Sequence, residues 1–115
     1  MISKRRAFIV GIKGYKLTNK EISFLRKYRP WGIILFTRNI KSIEQTKLLT
    51  KKIKSIFKDN NFPIMIDQEG GVVSRLENIL TSKPFNSNYY ESIYKNDYRN
   101  FETYLKIYVD QISYL

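Results

Sequence analysis

The sequence predicts an α/β protein built on a parallel sheet, and three observations carry this expectation. Apolar runs rich in β-branched residues recur at 7–12, 32–36 and 62–66. They are continuous rather than alternating, as in strands buried on both faces. Between them lie stretches with apolar residues at helical spacing and lysines on the remaining positions. Each of these stretches opens on a capping-box pattern, first Thr18-Asn19-Lys20-Glu21 and then Ser42-Ile43-Glu44-Gln45. Strand, helix, strand, helix, strand in that order is the sequence form of a parallel sheet.

In order, Ala7-Phe8-Ile9-Val10-Gly11-Ile12 reads as the first strand, buried on both faces. Ile22, Leu25 and Tyr28 give the first helix its apolar face, and Pro30, which lacks an amide donor, stops it. Gly32 to Phe36 is the second strand. Leu48, Leu49, Ile53, Ile56 and Phe57 form one face of the second helix, which Asn60 and Asn61 end. Phe62 to Ile66 is the third strand, and Ser82 to Asn88, with its proline and asparagines, reads as a loop. From Phe101 to Leu115 apolar residues fall three and four apart along one helical face. No glycine or polar cap follows Leu115, so the expectation is a chain cut inside this helix.

The totals narrow the function classes. With 115 residues and 43% hydrophobic content the chain suits one small folded domain. It has no cysteine, which fits a reducing compartment, and no histidine, which removes the commonest general base and metal ligand. The formal charge of +11 suggests an anionic partner. Its lysines are scattered, however, and the heavy use of Ile, Asn and Tyr matches translation from an AT-rich genome better than a basic patch. The apolar run Ala7 to Val10 after Lys4-Arg5-Arg6 is too short for a signal-peptide core or a membrane span, so a cytoplasmic protein is expected.

Ligands of parallel α/β sheets bind at the carboxyl ends of the strands. Two polar clusters lie there. Thr37-Arg38-Asn39 follows the second strand, and as an ordinary loop it would leave Arg38 to pair with a nearby carboxylate. Asp67-Gln68-Glu69-Gly70-Gly71 follows the third. A phosphate cradle is disfavoured, because two carboxylates would repel the phosphate and the glycine spacing is wrong. Asp67 and Glu69 share a face of an extended segment and could contribute to a divalent metal site, but two ligands alone are not specific. A glycosidase acid and nucleophile pair needs a separation that this spacing does not fix. The remaining reading is a sugar-binding Asp67, its carboxylate accepting from hydroxyls while the glycines turn the chain away and Arg75 folds back to the same mouth.

The stretches LTNKEISFLRKYRPWGIILFTRNIKSIEQTKLLTKKIK and PIMIDQEGGVVSRL resemble the amino-terminal part of the family 3 glycoside hydrolases, specifically the bacterial β-N-acetylhexosaminidases that recycle cell-wall muropeptides. The resemblance runs from about Phe8 to the end. It implies that residues 1–115 are the amino-terminal portion of the hydrolase domain, the first three β/α units of a TIM-type (β/α)₈ barrel. It also implies that Asp67 and Arg75 bind the non-reducing N-acetylglucosamine of the saccharide, with no metal or organic cofactor. Val72 departs from the basic residue usual after DQEGG. In the family the nucleophile is an aspartate on a later strand, and the acid/base is a histidine beyond a KHFPGH-like segment. Neither is expected in this chain, so no catalytic residue is assigned and the chain alone is expected to be inactive. An inactive sugar-binding remnant and a basic nucleic-acid-binding module are the alternatives.

Overall fold

The computed structural model describes residues 4–71, 73–80 and 86–115. Three strands, β1 (Arg6–Gly11), β2 (Pro30–Leu35) and β3 (Ile64–Ile66), form a parallel sheet in the order β1-β2-β3. Helix α1 (Asn19–Tyr28) joins the first two strands and α2 (Ile43–Phe57) the second two. Beyond β3 stand α3 (Ser87–Asn96) and α4 (Tyr98–Ser113).

Local chemistry sets the helix ends. The Thr18 hydroxyl accepts from the Glu21 amide while the Glu21 carboxylate accepts from the Thr18 amide, a complete capping box. At α2 the box is half made. Ser42 accepts from the Gln45 amide, but Gln45 Oε1 turns to the Lys41 amide and its Nε2 donates to the Tyr15 and Asn39 carbonyls. Gln45 thus ties the β1–α1 loop to α2. Helix α2 ends earlier than Asn60, on Lys58 in the left-handed conformation, with the Asp59 carboxylate accepting from the Asn61 amide in the turn that follows.

The core lies on the α2 face of the sheet, where Ile33 and Leu35 meet Ile53, Leu49 and Phe57. Phe57 stacks on Phe62 at 3.9 Å between centroids, joining the end of α2 to the lead-in of β3. Two expectations need correction. Leu48 is 69% exposed, because the series Thr46, Leu49, Ile53, Phe57 takes the core and the residue before Leu49 is rotated about 100° away from it. Strand β1 is not buried on both faces: Arg6, Ala7 and Ile9 are exposed, while Val10 packs against the core.

The single carboxyl-terminal helix and the loop before it are also revised. Residues 81–85 and Val72 lie outside the described residues. Ser87 and Asn88 open α3, capped by the Asn86 side chain, whose Oδ1 accepts from the Tyr89 amide. Asp97 then separates α3 from α4 and caps the latter through the Asn100 amide. No helix among the described residues is long and apolar enough to cross a membrane.

Candidate functional site

In register, Leu35 pairs with Ile66, so the next residues, Phe36 and Asp67, emerge together at the carboxyl end of the sheet. Gly70 and Gly71 take φ of 80° and 61°, which side-chain-bearing residues rarely adopt, and they turn the chain back. Leu76, almost fully buried, anchors the return in the core. Between them Gln68 acts as a strut. Its Oε1 accepts from the Arg75 amide at 2.7 Å, and its Nε2 donates to Ser74 Oγ at 3.1 Å.

The strut brings Arg75 beside Asp67. Arg75 Nε donates to the Asp67 carbonyl at 3.3 Å, and its terminal nitrogen lies 3.7 Å from the Asp67 carboxylate. The Asp67 side chain is 53% exposed and that of Arg75 30%. So long an ion pair at such exposure contributes about 0–1 kcal/mol. Asp67 therefore keeps acceptor capacity for a ligand, which a short buried bidentate pair would have consumed. Glu69 is exposed and, among the described residues, forms no ion pair with Arg75. Among the described residues no three His, Cys, Asp or Glu gather where they could hold a metal.

The cluster after β2 completes the mouth. Asn39 is fully buried; its Oδ1 accepts from the Phe36 amide at 2.9 Å, and its Nδ2 donates to the Ile12 and Gly14 carbonyls. Arg38 forms no ion pair among the described residues, contrary to the loop expectation. Its Nε donates to the Ile12 carbonyl at 3.1 Å, and its guanidinium lies over the Phe36 ring. Helix α4 approaches the same loop through Tyr108. Burial pushes the Tyr108 phenol up, the nearby Gln68 amide pulling partly back, and the buried hydroxyl has no hydrogen-bond partner of normal geometry among the described residues.

Sequence reasoning selected Asp67 and Arg75 and passed over Gln68, Phe36 and the clamp made by Asn39. A signal for Gln68 was present. On an extended segment it must point away from the Asp67 face, toward the returning chain.

The fold and site define a parallel α/β protein with a polar cluster at the carboxyl ends of its strands. No protein-family model matches the chain. The β-hexosaminidase of Psychromonas ingrahamii is 40% identical over 79 residues, 69% of this chain and 23% of that enzyme. NagZ from Neisseria gonorrhoeae, solved in complex with N-trifluoroacetyl-D-glucosamine, superposes with a TM-score of 0.63 at 33% identity, over 81% of this chain and 27% of that one. The glycoside hydrolase family 3 β-N-acetylglucosaminidase from a Paenibacillus strain gives 0.57 at 31% identity, over 64% and 15%. These likenesses set the chain among the relatives of the bacterial family 3 β-hexosaminidases, over their amino-terminal part. The chain spans about a quarter of the length of the curated relatives it matches.

Proposed function

We propose that this chain is the amino-terminal portion of a cytoplasmic β-N-acetylhexosaminidase, the first three β/α units of a (β/α)₈ barrel. Asp67 and Arg75 hold the non-reducing N-acetylglucosamine of cell-wall muropeptides. The observation that carries this reading is the loose Asp67–Arg75 pair at the carboxyl end of β3, a carboxylate with free lone pairs beside a fork of N–H donors. Such a pair matches the alternating donors and acceptors of sugar hydroxyls and an acetamido carbonyl. The N. gonorrhoeae relative, solved with a glucosamine derivative, supports the ligand class.

The intact enzyme would be retaining, working through a covalent glycosyl-aspartate. Its histidine acid/base has no counterpart here, because the sequence contains no histidine. This chain by itself therefore binds without hydrolysing. Titrating the ¹⁵N-labelled chain with N-acetylglucosamine tests the reading. Shifts should centre on Asp67, Gln68 and Arg75, and glucose, lacking the acetamido group, should produce smaller ones. Shifts confined to α3 and α4, or none at saturating sugar, would contradict it.

A further inference from the structure

We propose that Phe36 is a positioning residue for the Asp67–Arg75 pair: its ring is the surface that sets the direction in which the Arg75 guanidinium meets Asp67. The inference rests on reading that pair as the saccharide subsite. The guanidinium carbon of Arg75 lies 5.7 Å from the ring centroid and that of Arg38 lies 4.6 Å from it, so two cations share one aromatic surface.

The ring is the fixed partner. Its backbone amide donates to Asn39 Oδ1, its carbonyl accepts from the Asn39 amide at 2.8 Å, and Asn39 is itself clamped to the end of β1. Gly11 supplies the space: a Cβ there would stand 3.3 Å from Phe36 Cε2 and 3.2 Å from an Arg38 nitrogen. Arg75, by contrast, is a long side chain whose polar contacts among the described residues are a 3.3 Å hydrogen bond and a 3.7 Å ion pair. Neither contact orders it strongly. A planar guanidinium resting on an ordered ring loses less freedom when a ligand arrives, because part of that freedom is already gone.

The test uses the full ¹⁵N-labelled chain and follows the Arg75 Nε–H resonance together with N-acetylglucosamine affinity. Phe36→Leu keeps apolar bulk and removes the ring. The expected result is loss of the ring-current shift, faster solvent exchange at Nε–H and a fall in affinity of about two- to fivefold, the scale of an exposed cation–π contact. Phe36→Tyr should restore all three. Arg75→Lys, which keeps the charge but loses the planar contact, should weaken binding similarly, and the double variant should be no worse than the poorer single one. An unchanged Arg75 Nε–H in Phe36→Leu, or additive losses in the double variant, would overturn the proposal. If the native chain binds no sugar, the saccharide reading fails, while the Nε–H response still decides whether Phe36 positions Arg75.

Discussion

The β/α segment from β1 to Leu80 and the hairpin of α3 and α4 are built from similar proportions of apolar residues but bury them differently. In the first, Leu25, Ile33, Ile53 and Leu76 are almost fully enclosed. In the second, neither helix has a buried residue. Aromatic rings hold the hairpin together, with Tyr90 edge-on to Phe101, and Tyr94 edge-on to both Tyr98 and Phe101. Only Ile112 and Leu115 among its residues pack on the main core. An apolar groove of about 480 Å³, lined by Leu76, Ile79, Ile107 and Tyr114 among others, lies between α4 and the segment that follows the glycine turn. Stability therefore resides in the segment that carries Asp67 and Arg75, and the hairpin is an attachment to it.

The largest expected effect comes from the enclosed side. Ile53→Ala should cost about 2–5 kcal/mol in denaturant unfolding, whereas Leu105→Ala on the exposed side of α4 should stay within about 0.5 kcal/mol. Equal losses would dissolve the contrast. Hydrogen exchange should sharpen it, with β2 and α2 amides opening only near the global limit and α3 and α4 amides exchanging through local opening.

Next in size is Asn39→Ala. It removes the acceptor of the Phe36 amide and the donor to the Ile12 and Gly14 carbonyls, at an expected cost of about 1–3 kcal/mol. The melting curve should fall and the amide signals of Ile12 to Gly14 should move. Signals moving in α3 instead would put the clamp in the wrong place.

A smaller effect belongs to the α1 cap. Thr18→Ala should cost about 1 kcal/mol. Its partner Glu21 gives a pH signature. Burial would raise the Glu21 carboxyl, but hydrogen bonds from the Thr18 and Lys13 amides and the Thr18 hydroxyl, with the Lys13 charge, outweigh it and hold it below its usual value of 4.5. A depressed carboxyl stabilises the folded state above its unfolded pKa, and that contribution is lost as pH falls below 4.5 through the folded value. Glu21→Gln should flatten this part of the stability profile in acid; a profile identical to that of the native chain would show that Glu21 is not depressed.

The enclosed segment was also the more legible in the sequence. Its strand and helix order follows from continuous apolar runs alternating with capped, lysine-backed helices, and the Thr18 and Glu21 box formed as read. Burial was less legible. Leu48 and Leu49 are adjacent and equally apolar, and only packing against the sheet selects Leu49. The break at Asp97 was visible as a capping residue ahead of Asn100, yet the apolar spacing from Phe101 drew attention past it and left α3 unread. At the site, Asp67 and Arg75 announced themselves by charge. Gln68 and Phe36 act through geometry, a strut across a glycine turn and a ring at a shared strand end, which residue type alone does not reveal.

The central claim is that the Asp67 carboxylate is there for a sugar and not for the fold, and Asp67→Ala in an enzyme completed with the later strands of a close relative tests it most directly. Catalytic efficiency should fall by roughly tenfold to a hundredfold, the scale of a lost charged hydrogen bond of about 1.5–3 kcal/mol, while the melting temperature barely moves, because the side chain is half exposed and its ion pair is long. A melting temperature lowered by several degrees, with unchanged efficiency in the folded fraction, would instead assign Asp67 to holding the Gly70-Gly71 turn.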